Sequence, residues 1–113
     1  MEPVAFDDAD SYEPEEGWER RSLADADGVS VEWFRKPPGH SSPTHDHENE
    51  QVCLCLAGEL TVYAGDEAAT LGEYDAVHLA GGEPHRVENT GTETAVGVDV
   101  FAPGRPFDFW RER

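Results

Sequence analysis

The chain has 113 residues, enough for one domain around one core, and its formal charge is −17, from 25 acidic residues against 8 basic ones. That balance argues against nucleic acid and anionic membrane surfaces as partners. Isoleucine is absent, Lys36 is the single lysine and large aliphatics are few; such a composition fits either disorder or a surface adapted to concentrated salt, where ~1 M electrolyte shortens the Debye length to about 3 Å.

Residues 1–16 are acidic and punctuated by Pro3 and Pro14, and read as a lead-in able to pair at a sheet edge; the domain proper is expected over 17–113. From Trp18 onward the chain shows short alternating runs between turn signals and no sustained helical period, which favours a folded, salt-adapted protein over a disordered one. GVSVEWFRK (28–36) sets Val29, Val31 and Trp33 against Ser30, Glu32 and Phe34, and the proline- and glycine-rich KPPGHSSP (36–43) ends it. In QVCLCLA (51–57), Gln51, Cys53, Cys55 and Ala57 share one face, and Val52, Leu54 and Leu56 the other. LTVYAGDEAATL (60–71) predicts two strands about a Gly65-Asp66 turn, and 87–101 two more about Thr90-Gly91-Thr92. In the last strand Ala95, Gly97, Asp99 and Phe101 oppose Thr94, Val96, Val98 and Val100. Regular short strands predict an all-β sandwich or barrel. The small-residue faces, carrying Gln51, Asp99 and Phe101, suit a barrel interior that holds a cavity.

Cys53 and Cys55, two apart on one strand face, are poorly placed to bond to each other and read as reduced core residues. The N-terminus has neither the basic start nor the apolar run of a signal segment, and no stretch approaches a membrane span, so a cytoplasmic location is expected.

His45 and His47, spaced to share a face if extended, precede Gln51, while His85, Val87 and Asn89 alternate together in GGEPHRVEN (81–89). Three imidazoles and an amide oxygen converging in a barrel would make a shell for one divalent transition metal: manganese, iron, nickel, zinc or copper. Each element has a plainer reading, since a lone HxH or a glutamine entering a strand is common without a metal; the combined spacing is what points to a site. His78 alternates with Val77 and Leu79 and reads as a non-ligand, and His40 as a solvated loop residue.

Gly39-x5-His45-x-His47-x3-Gln51-x6-Gly58 resembles the first cupin motif, with glutamine in place of its glutamate, and Gly82-x2-His85-x3-Asn89 resembles the end of the second. Two positions depart from that second motif: Tyr74 stands where its first glycine belongs, and Ala80 where its proline does. The resemblance implies a double-stranded β-helix, or cupin jelly-roll barrel, with His45, His47, Gln51 and His85 as metal ligands, and a homodimer. Asp99-Val100-Phe101-Ala102-Pro103-Gly104-Arg105, with Glu50-Gln51, is further similar to the KdgF-type pectin-degradation cupins. That likeness implies a small anionic sugar-acid substrate: linearisation of 4,5-unsaturated uronates, from pectin or alginate, to 4-deoxy-5-hexosulose uronate. In such a reaction Asp99 is the candidate proton shuttle, Arg105 the catalytic and substrate-binding clamp on the carboxylate, and Phe101 a substrate-binding apolar wall. Each also has a structural alternative: Asp99 as a solvated acid, Arg105 as a surface ion pair, Phe101 as core. The same residues also fit two other functions, a metal-dependent dioxygenase and a non-catalytic module that binds a sugar acid or a metal.

Overall fold

Polar–apolar alternation resolves, in a computed structural model that describes residues 1–112, into nine strands. These are β1 (Ser11–Glu15), β2 (Trp18–Asp25), β3 (Ser30–Lys36), β4 (Glu50–Ala57), β5 (Leu60–Ala64), β6 (Glu67–Leu71), β7 (Ala76–Leu79), β8 (His85–Asn89) and β9 (Ala95–Ala102). Short 3-10 segments cover Phe6–Asp8 and Phe107–Glu112. All pairings are antiparallel: a six-stranded sheet in the order β1-β2-β3-β9-β4-β7 faces a three-stranded one, β6-β5-β8. Within the acidic lead-in, β1 pairs with β2 at the edge of the large sheet.

The core between the sheets contains Trp18, Phe34, Leu60, Val62, Leu71, Leu79, Val87 and Trp110. In β3, β4 and β9 the inward face is the one without the valines and leucines. Ser30, Glu32, Phe34 and Lys36 of β3 are buried, while Val31 and Trp33 lie half-exposed on the outer face. The same holds in β4, where Gln51, Cys53 and Cys55 point in and Val52 is exposed, and in β9, where Ala95, Gly97, Asp99 and Phe101 point in. Small residues on β4 and β9 do not leave an empty barrel. A Cβ added at Gly97 would collide with the Phe34 ring, so the space that glycine releases is filled by an aromatic side chain from the neighbouring strand.

Gly65-Asp66 turns β5 back onto β6, as expected from the sequence, with Ala64 opposite Glu67. The strands flanking 90–92 part company instead: β8 pairs with β5 in the small sheet and β9 with β3 and β4 in the large one. That crossing brings His85 and Asp99, on opposite sheets, toward one interior.

A candidate metal centre and the buried charges around it

His45 and His47 do not lie on a regular strand; they sit in the loop before β4, tied down at one point. His45 and His85 form an antiparallel bridge with both N–H to O=C distances at 2.9 Å, which puts their side chains on one side. His47 accepts at its carbonyl from Gly82 N–H (2.8 Å), fixing the second motif's turn against the first. As a result the three imidazoles offer ligand nitrogens that all lie within 4.8 Å of one another. His45 and His85 are buried and His47 is half-buried.

Backbone carbonyls select the tautomer. Nδ1 of His45 lies 3.0 Å from the Pro43 carbonyl, Nδ1 of His47 3.0 Å from that of Asn49, and Nδ1 of His85 2.7 Å from that of Glu83. Each ring therefore donates from Nδ1 and keeps its Nε2 lone pair for the cluster. The Nε2 of His85 is buried without a hydrogen-bond partner. Gln51 Nε2 donates to Asp99 Oδ1 (2.9 Å), and because a carboxylate only accepts, the amide oxygen must face the imidazoles, 3.0 Å from His47 Nε2. Both neighbours of the His47 ring, the Asn49 carbonyl and the Gln51 amide oxygen, are acceptors, whereas a neutral imidazole has one N–H. Two lone pairs meet at Nε2 unless the ring is protonated or a cation sits beside it. Burial, and next the Arg105 guanidinium, hold the His47 pKa below its ordinary value, and burial above all lowers that of His45 to about 3. Nε2 atoms turned toward one point, one of them orphaned, and an amide oxygen facing a lone pair suit a divalent transition metal, which His45, His47, His85 and Gln51 would hold.

Asp99 is buried rather than solvated. Its Oδ2 accepts from Arg20 Nη2 (2.8 Å); Arg20 Nε donates to Glu32 Oε1 (2.8 Å), and Arg105 Nη2 donates to the same oxygen (3.0 Å). Burial raises the Asp99 pKa, but Arg20, Arg105 and the Gln51 amide outweigh it and leave the carboxyl below its usual range, hence ionised at neutral pH. Arg105 is also no surface ion pair: its guanidinium lies 3.8 Å from the Phe101 ring centroid and 4.1 Å from that of Phe109. Its contacts with Glu32 use Nε and Nη2, leaving the Nη1 edge outside that pair. Phe101 is fully buried against His47 and Arg105.

Arg20, Lys36, Trp18 and Trp110 were not expected here from sequence, yet they line the same narrow chamber as His45, Gln51, Asp99 and Arg105, and Glu32 stands behind it on the two arginines. Trp110, from the C-terminal 3-10 segment, packs on His45 with ring centroids 4.5 Å apart. Of the remaining histidines, His78 is exposed and paired with Glu50, in keeping with a non-ligand. His40 differs from expectation: it stacks on Trp18 and bonds to Glu15 instead of standing in solvent. Cys53 is buried beside Asp99, and burial followed by that carboxylate pushes its thiol well above the ordinary value, so it stays a neutral core residue.

Two opposed antiparallel sheets enclosing a histidine cluster define the class, and the sequence agrees: the Cupin domain profile matches residues 32–101, so the chain belongs to the cupin family. Among solved structures it is similar to an RmlC-like cupin from Shewanella frigidimarina (TM-score 0.84, 18% identity, 96% of each chain covered). It is also similar to KdgF from a Halomonas species (0.83, 21%, 92% of this chain and 96% of that one) and to TT1209 from Thermus thermophilus (0.77, 29%, 94% and 100%). No curated protein matches it in sequence.

Proposed function

We propose that this cupin is a metal-dependent enzyme that opens the ring of 4,5-unsaturated uronates. The observation that carries the reading is the ionised Asp99 carboxylate, fixed by Gln51 to the imidazole cluster and sharing one chamber with Arg105. The Asp99-x-Phe101-x-Pro103-x-Arg105 ending, similar to that of the KdgF-type cupins, supplies the substrate class.

The reaction moves one proton and consumes nothing. Asp99, deprotonated at rest, accepts the proton of the anomeric hydroxyl. The O1 electrons form the C1 carbonyl as the C1–O5 bond breaks, the released pair makes an enolate across C4, C5 and O5, and C4 takes up the proton to leave a ketone at C5. Arg105 donates from Nη1 to a substrate oxygen and stays oriented by Glu32 and by the Phe101 and Phe109 rings. A divalent ion on the three imidazoles would supply Lewis-acid polarisation of a substrate oxygen.

The test is the loss of ultraviolet absorbance of the C4=C5 chromophore when the metal-loaded chain meets unsaturated galacturonate. Turnover is expected to be equal with and without oxygen, to rise from dilute buffer to molar salt as repulsion between the −17 chain and its anionic substrate is screened, and to fall about 100-fold or more in Asp99→Asn. Oxygen-dependent consumption would indicate a dioxygenase, and wild-type turnover by Asp99→Asn would remove the proton carrier from the scheme.

A further inference from the structure

Arg20 and Arg105, which line the chamber, are offset by Glu32 and Asp99, whereas Lys36 takes no part in that network. Its side chain is buried, it donates to the Val87 carbonyl (2.9 Å), and its ammonium lies 4.8 Å from the Trp18 ring centroid. Among the described residues no carboxylate is within ion-pair distance of it. Trp18 and Trp110 line the same chamber as Lys36, and their indole nitrogens are buried N–H donors with no hydrogen-bond partner. A buried ammonium and two buried N–H groups without acceptors are costly in a folded chain, and they share the chemistry of needing oxygen acceptors.

The cavities say how such a partner fits. The chamber has a free volume of only ≈ 20 Å³, on the order of one water, but Trp18, His45 and Trp110 also form the wall of an outer cleft of ≈ 270 Å³ that reaches Pro14 and Thr44. A sugar ring fits the cleft and not the chamber; a carboxylate tip, replacing a water, fits the chamber. We propose that this corner seats the carboxylate of an organic acid of monosaccharide size, held by Lys36 and the indole N–H groups of Trp18 and Trp110, with the body of the acid in the cleft beside His45. The proposal rests on the sugar-acid reading above and deepens it. In a uronate, C1 and C5 both flank the ring oxygen, so one edge of the ring carries the anomeric hydroxyl and the carboxylate together. That edge faces the chamber that Asp99 and Lys36 both line, with the carboxylate directed at Lys36. The lowered pKa of Lys36, about 7, caused by burial and then by Arg20, agrees with an ammonium that lacks its counter-ion until an anion arrives.

The experiment is calorimetric binding of D-galacturonate, which lacks the C4=C5 bond and cannot react, and of uncharged D-galactose, to the metal-loaded full chain in molar salt. Galacturonate is expected to bind at least tenfold more tightly than galactose. Lys36→Met should abolish that tenfold preference while leaving galactose binding unchanged, and Trp18→Phe and Trp110→Phe, which keep a ring but lose the N–H, should each weaken galacturonate severalfold. The proposal is overturned if galacturonate fails to bind, if the two sugars bind alike, or if Lys36→Met, folded and metal-loaded, retains wild-type affinity. The two readings separate cleanly. Binding through Lys36 with no conversion of unsaturated galacturonate would keep the seat and reject the reaction, while conversion by Lys36→Met at wild-type KM would do the reverse.

Discussion

Tyr74 holds a φ of 69°, the one non-glycine residue with positive φ among those described, at the position where the second cupin motif has glycine. The motif glycines Gly39, Gly58 and Gly82 sit at 81°, 78° and 78°, so the backbone demand persists at residue 74 although the residue has changed. Its side chain is exposed and its N–H bonds to the Cys55 carbonyl (2.7 Å), so the conformation is imposed from outside. Tyr74→Gly is therefore expected to raise stability by about 0.5–1 kcal/mol in urea denaturation; a loss of that size would mean the ring contributes packing that outweighs the backbone term. Histidine spacing made three imidazoles and Gln51 legible as a cluster, because motif positions are local. Arg20, Glu32 and Lys36 were not legible. In β4 and β9 the small residues marked the interior face, but in β3 alternation groups Ser30, Glu32 and Phe34 on one face without telling whether that face is inside. The compensation for burying Arg20 comes from Asp99, 79 positions away, a pairing that no local pattern reveals.

At the level of elements, the β5–β6 hairpin could be read because two turn residues fix its register, and β8–β9 could not be paired because the connection over 90–94 changes sheets. Asn89 organises that departure: its Nδ2 donates to the Lys36 and Glu93 carbonyls and its Oδ1 accepts from Gly91 N–H. Its motif role is thus to hold a turn, with no place among the metal-facing groups. β9 is the strand on which the interior depends, since it pairs with both β3 and β4 and carries Asp99 and Phe101 inward. Its tolerance for substitution is narrowest at Gly97, under the Phe34 ring. Gly97→Ala is expected to cost about 1–3 kcal/mol through overpacking, read as a lower urea midpoint at unchanged slope, and Phe34→Leu in the same chain should recover part of it. An unaltered midpoint in Gly97→Ala would mean that the ring moves aside freely and that β9 does not set the packing.

Across the whole molecule the charge is distributed unevenly. Of the 8 basic residues, Arg20, Lys36 and Arg105 are inside, which leaves the acidic residues of the surface with few cations around them. In molar salt, distant repulsion among those residues is screened while the buried contacts persist. Fold class was legible from strand periodicity and motif together; the occupation of the barrel was not, because small residues on two strands were matched by Phe34 and by the Arg20–Glu32–Arg105–Asp99 network on others. The proposed reaction depends on the cluster of His45, His47, His85 and Gln51 holding one cation. Calorimetric titration of the chelator-treated chain with Mn²⁺, Ni²⁺ and Zn²⁺ measures this directly. One ion per chain is expected for the ion that binds best, with affinity reduced about 100-fold or more in His45→Ala, His47→Ala or His85→Ala and less in Gln51→Ala. Absence of binding by all three ions, or a stoichiometry and affinity indifferent to all three histidine substitutions, would contradict the account.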